Sequence, residues 1–108
     1  MIAKEIAEKL ALETVQSAGE NREVTTGYTS DLLSDVMANA EEGAALVTIQ
    51  AHKNSVAVAS LAGCPMIIIC NNRPIPDEMT QAAAEEEIAV YRSETNQFQI
   101  SGRLFALL

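Results

Sequence analysis

Residues 45–70 read ALVTIQAHKNSVAVASLAGCPMIIIC, and the fold class follows from them. Residues 66–70 are apolar at every position, whereas a strand with one wet face would alternate apolar and polar residues. A strand covered on both faces belongs to a parallel sheet. Residues 45–50 form a second compact, β-rich run. Between the two, Asn54 is placed to cap a helix carrying Val56, Ala57, Ala59 and Leu61 and ending at Gly63. Strand, helix and strand make one βαβ unit, and its many small residues favour close packing of helix on sheet.

Working outward, the Thr- and Val-rich run 23–28 predicts another strand, and Thr29, Ser30 and Asp31 supply an N-cap for a helix carrying Leu32, Leu33, Val36, Met37 and Ala40. That helix stops near Gly43. Upstream, Ile2, Ala3, Ile6, Ala7, Leu10 and Ala11 recur at helical spacing, followed by a short strand around Val15 and a turn at Gly19, Glu20 and Asn21. Downstream, Pro76 and Asp77 open a helix to about residue 87, a strand follows over 88–91, and Ser93 or Thr95 caps a last helix. This helix carries Phe98, Leu104, Phe105 and Leu108, with Gly102 as an interior break.

The 108 residues suit one domain, 1–108, with 48% hydrophobic and 20% charged residues. Fifteen acidic against seven basic residues give a net charge of −8, which repels phosphate backbones and anionic membranes. Nucleic acid polymers and membranes are therefore not expected partners. The longest apolar stretch, 56–70, is broken by Ser60, Gly63 and Pro65 and falls short of the ~20 residues of a spanning helix. Charges interleaved in MIAKEIAEKL do not make the apolar core of a secretory signal. Two cysteines make no disulfide framework, and a cytoplasmic protein with reduced thiols is the simplest reading.

In open parallel sheets ligands bind outside the carboxyl ends of the strands, beside a point where strand order reverses. Four segments, 27–31, 50–54, 71–74 and 92–95, are expected there, and they hold Lys53, Arg73, Arg92 and the only histidine, His52. The expected ligand-binding residues are Gly27, Tyr28, Ser30, Asp31, Gln50, His52, Lys53, Asn71, Asn72 and Arg73. Basic side chains and helix N-termini near Ser30 and Asn54 would hold an anion, and Tyr28 could stack on a ring. The alternative is that short polar loops carry such residues anyway. Asp31 and Asp35 would neutralise the basic groups or coordinate a cation.

His52 has no second histidine, and the spacing of Cys64 and Cys70 matches no zinc pattern, so no metal and no cofactor is assigned. Neither phosphate-cradling glycine loop occurs, and no nucleophile lies beside a base, so no catalytic residue is assigned either. The run AAAEEE at 82–87 reads as a solvated helix face. The LFALL terminus at 104–108 suits core packing or a subunit surface.

The stretch VTTGYTSDLLSDVMANAEEGAALVTIQAHKNSVAVASLAGCPMIIICNN at 24–72, with PDEMTQAAAEEEIAVYRSETNQFQISGRL at 76–104, resembles a stand-alone DRTGG domain. The most specific parts are SDLLSDVMANA at 30–40, Thr48-Ile49-Gln50, and Phe98 with Gly102-Arg103-Leu104. The family is similar to the N-terminal domain of HPr kinase/phosphorylase, without its P-loop domain. The resemblance implies a three-layer α/β/α fold with a mostly parallel four-stranded sheet. It also implies a regulatory or ligand-sensing module, a homodimer, binding a small anion such as a nucleotide. A structural or dimerising protein docked on a metabolic, redox or hydrogenase-type partner is the alternative. Two signature turns are altered: Ala51-His52-Lys53 stands for an Asp-Arg-Thr-like turn, and Cys70-Asn71-Asn72 for Thr-Gly-Gly. Loss of both glycines predicts a changed loop geometry.

Overall fold

The computed structural model describes all residues 1–108. Its elements are α1 (Ala3–Lys9), β1 (Glu13–Gln16), β2 (Thr26–Thr29), α2 (Leu33–Asn39), β3 (Ala44–Thr48), α3 (Lys53–Ala62), β4 (Met66–Ile69), α4 (Asp77–Glu85), β5 (Ala89–Arg92) and α5 (Gln97–Leu107). The sheet has the order β1-β5-β4-β3-β2. Strands β2 to β5 are mutually parallel, and β1 joins β5 antiparallel.

The fold class is the expected one, with five strands instead of four. The extra strand is the run around Val15, where Glu13 pairs with Arg92 and Thr14 with Tyr91. A second correction concerns winding. The parallel strands follow one another in chain order, so no reversal of strand order occurs among them. Right-handed crossovers then place α2, α3 and α4 on one face. There Val36, Val56, Ala59, Met79 and Ala83 pack on Leu46, Ile67, Ile69 and Val90. Helices α1 and α5 cover the other face, where Ile6, Leu10, Ile100 and Leu104 pack on Val47, Met66, Ile68 and Tyr91.

The run MIII explains why both faces are covered. Met66 and Ile68 fill one core, Ile67 and Ile69 the other, and all four are wholly buried. Each such side chain contributes about 1.5–3 kcal/mol of burial.

Several caps differ from expectation. His52, not Asn54, caps α3, because its Nδ1 accepts the Asn54 N–H at 3.0 Å. Asn96, not Ser93 or Thr95, caps α5 through the Gln99 N–H. Leu32 occupies the cap of α2 without a side-chain bond, since Asp31 is engaged elsewhere. Strand β2 begins at Thr26, later than residue 23, because Val24 and Thr25 bond to Met1 and Gly43 instead. No helix is long and apolar enough to cross a membrane.

Candidate functional site

The carboxyl ends of β2, β3, β4 and β5 lie on one edge of the sheet, and the four expected segments meet there. Asp31 is the knot. Its Oδ1 accepts hydrogen bonds from Thr48 Oγ1, the Ile49 N–H and Gln97 Nε2, each at 2.9 Å. Gln50 Nε2 donates to the Asp31 carbonyl at 3.0 Å. One carboxylate therefore fastens the ends of β2 and β3 to the start of α5.

The other half of the edge is zipped through backbone. The Asn71 N–H donates to the Thr95 carbonyl at 3.0 Å and the Asn72 N–H to the Ser93 carbonyl at 2.8 Å. Both asparagines are left-handed, with φ of 62° and 50°. Asparagine is the non-glycine residue that tolerates this region best. Two asparagines thus adopt successive left-handed conformations, which a pair of glycines would also allow.

The expected site residues fall into three groups. Asp31 and Gln50 belong to the knot, with Ser30 beside them bonding the Leu32 N–H. His52 and Lys53 stand at the start of α3. The His52 ring is used as a cap, and Lys53 has only an exposed contact with Glu78 at 3.7 Å. Asn71, Asn72 and Arg73 form the exposed left-handed turn. Gly27 and Tyr28 lie apart from these groups, within β2. A Cβ on Gly27 would come within 2.8 Å of Leu104 Cδ2, so this glycine serves the approach of α5. The Tyr28 hydroxyl donates to Asp35 Oδ2 at 2.8 Å. That bond lowers the Asp35 pKa and raises that of Tyr28. Arg92 is held in a fork by Glu13, with Nη2 to Oε2 at 2.9 Å and Nε to Oε1 at 3.2 Å.

A polar depression of about 400 Å³ opens on this edge, on the side of α1 and α5. Asn72, Arg92, Ser93, Glu94, Thr95 and Arg103 line it together with Leu10, Ala11 and Glu13, so two arginines and two carboxylates share its wall. Arg103 is lightly held, by one 3.4 Å contact to the Leu10 carbonyl. Sequence reasoning placed only Asn72 of this set among the ligand residues. The loop pattern also contained Ser93 and Thr95, whereas Thr48 and Gln97 carried no local signal of their bond to Asp31. Two larger concavities, of about 630 and 700 Å³, run along α5, the first taking in Gly27 and Thr29 of β2 and the second reaching Thr29 and Gln97 at the edge. Burial pushes the thiols of Cys64 and Cys70 up to about 11, so neither is a ready nucleophile near neutral pH.

Fold and edge define the class: a singly wound α/β domain with polar loops gathered at the carboxyl ends of its strands. No family model matches the chain. Over 44 residues it is 43% identical to an HPr kinase/phosphorylase of Streptococcus gordonii, a match covering 41% of this chain and 14% of that protein. It also superposes on the crystal structure of the CBS and DRTGG domains of the regulatory region of Clostridium perfringens pyrophosphatase, complexed with the activator diadenosine tetraphosphate. The TM-score is 0.71 at 16% identity, over 92% of this chain and 44% of that one. The fold matches that of a DRTGG domain, and the chain spans less than half the length of either relative.

Proposed function

We propose that this domain is a regulatory, non-catalytic module that binds a small anionic ligand, foremost a nucleotide, at the carboxyl edge of its sheet. The polar depression carries the reading. Its volume of about 400 Å³ lies within the ~300–1,000 Å³ of small-molecule sites. Arg103, held by one 3.4 Å contact, offers a guanidinium fork suited to phosphate, whereas Arg92 is already forked by Glu13 and lends only positive charge beside it. Asn72 supplies one wall, and Asn71, Arg73, His52 and Lys53 extend a polar rim over the neighbouring loops. Asp31 and Gln50 then act by holding the loops in place.

Two observations support regulation over catalysis. The thiols are buried and held protonated, and His52 Nδ1 is engaged as a cap. The structural relative was crystallised with a nucleotide activator, which supports the ligand class. Two free, buried cysteines fit a reducing compartment such as the cytoplasm.

Titration calorimetry with ATP, GTP and diadenosine tetraphosphate tests the proposal. Saturable heat is expected from at least one of them. Arg103→Gln removes a charge-assisted bond of about 1.5–3 kcal/mol, so affinity should fall roughly 10- to 100-fold. No heat from any of the three, or binding indifferent to Arg103→Gln, refutes the site.

A further inference from the structure

Tyr91 is 1% exposed, and its hydroxyl is the only buried side-chain polar atom without a hydrogen-bond partner in the protein. An unpaired buried hydroxyl is unfavourable, so it calls for a reason outside the chain's own bonds. The residue lines a cleft of about 160 Å³ between α1 and the paired strands β1 and β5. Local structure brings the other polar walls to it. Lys4 and Glu8 stand one turn apart on α1. The N–H groups of Ala3 and Lys4 donate to the Arg22 and Glu20 carbonyls, which lays the turn carrying Glu20 across the start of that helix. Thr14 and Tyr91 are cross-strand partners, so their side chains share a face of the sheet. Ala7, Ala11 and Leu12 add apolar wall. Lys4 pairs with neither carboxylate, because the three ion pairs of the chain all lie elsewhere.

We propose that this cleft binds a small primary amine, its ammonium held by the Tyr91 hydroxyl oxygen and the Glu8 and Glu20 carboxylates, and its carbon chain lying along Ala7, Ala11 and Leu12. An ammonium has three N–H donors, and the cleft offers three acceptor groups, from α1, from the turn and from β5. Burial, and then the charges of Glu20 and Glu8, raise the pKa of Tyr91, so the phenol stays neutral and keeps lone pairs for a donor.

Size and charge select the class. Two carboxylates against Lys4 leave the cleft with an excess negative charge, within a chain of net −8, which favours a cation and repels an anion. At ~30 Å³ per water-sized group the cleft takes about five non-hydrogen atoms, and it falls below the ~300–1,000 Å³ of sites for larger molecules. No group of three metal-ligating side chains occurs in the chain, and apolar walls suit an alkyl chain better than a hydrated ion. The cleft shares only Ala11 with the depression at the sheet edge, so the amine site stands independently of the anion site.

Nuclear magnetic resonance titration of the isotope-labelled full chain with butylamine, at neutral pH in an amine-free buffer of constant ionic strength, tests the proposal. Saturable amide shifts are expected at Thr14, Glu20 and Tyr91. Tyr91→Phe should weaken binding about tenfold without lowering the melting temperature of the free chain, and Glu20→Gln, at a partly exposed position, should weaken it by about as much. Lys4→Met should tighten binding severalfold by removing a like charge. Tetramethylammonium, which has charge but no N–H, should bind at least tenfold more weakly than butylamine. Nα-acetyl-lysine methylamide presents the same ammonium from a peptide: tighter binding than butylamine assigns a partner's lysine as the source, and weaker binding a free amine. No saturable shift with butylamine overturns the proposal. So does equal binding of tetramethylammonium, binding indifferent to both Tyr91→Phe and Glu20→Gln, or binding weakened by Lys4→Met.

Discussion

Replacing Asp31 by alanine should unfasten the edge on which the proposed ligand site stands. Its Oδ1 serves three donors at 2.9 Å, and they do not suffer equally from its loss. Thr48 is wholly buried and the Ile49 N–H is fixed in the backbone, so neither can turn to water, whereas the partly exposed Gln97 side chain can swing outward. A buried donor left without a partner costs ~1–3 kcal/mol. Two such donors give a loss of about 3–4 kcal/mol, a large part of the ~5–15 kcal/mol that stabilises a domain. Asp31→Asn keeps an acceptor oxygen and removes the charge, so about 1 kcal/mol is expected. Urea unfolding measures both. At a slope of roughly 1.5 kcal/mol per molar, the alanine variant should lose about 2 M in midpoint and the asparagine variant under 1 M. The Ile49 amide should also lose hydrogen-exchange protection in Asp31→Ala alone. An alanine variant within 1 kcal/mol of the parent, or equal losses in both variants, refutes the knot.

Four further outcomes are expected. Gly19→Ala should cost at least about 2 kcal/mol in urea unfolding, because φ is +89° and the new Cβ would be driven into the Glu87 carbonyl. Asn71→Ala and Asn72→Ala should each cost about 1 kcal/mol, while the glycine variants should stay within ~0.5 kcal/mol of the parent. Tyr91→Phe should leave stability unchanged or raise it by ~1 kcal/mol, because the buried Tyr91 hydroxyl has no hydrogen-bond partner. Cys64 and Cys70 have thiol pKa values raised by burial from 9.0 to about 11, which favours the neutral form in the folded chain. Their contribution is therefore fully present below pH 9 and is lost as pH rises through about 11. Native protein at pH 8 should resist iodoacetamide at both thiols, whereas urea-unfolded protein should label fully, as mass spectrometry would show.

The fold was readable where the pattern was strong and local. MIII at 66–69 can be a strand only if both faces are covered, and Gly63 at φ 78° ends α3 where a glycine stop signal stood. Elsewhere the same physics used residues that give no signal. Helices α1 and α4 also end in a left-handed residue, but it is Ala11 at φ 54° and Glu87 at φ 53°. The caps shifted for a related reason. Asp31 reads locally as an N-cap, yet its bonds reach 17, 18 and 66 residues along the chain, and no window of sequence contains them. Strand β1 was visible around Val15, but its place beside β5 rests on pairings such as Glu13 with Arg92, which are set by tertiary structure.

The four expected segments do meet at one edge of the sheet, although the rule used to expect a crevice there does not fit. Parallel strands running in unbroken order have no crevice made by reversal, so the opening at this edge needs another origin. It comes from the opposite face, where α5 crosses back over β2 and β3 while α1 ends at Leu10. The depression lies between them, against Ser93 and Thr95. The turn at Asn71 and Asn72 forms its rim by bonding to those same two residues. That turn needs two left-handed residues in succession, which glycine meets at no steric cost and asparagine at small cost. Asparagine takes up that path at both positions here and leaves two exposed amide side chains on the edge, one of them, Asn72, lining the depression. On the proposed ligand-binding reading, Asn72, which lines the depression, should bear on selectivity more than on folding.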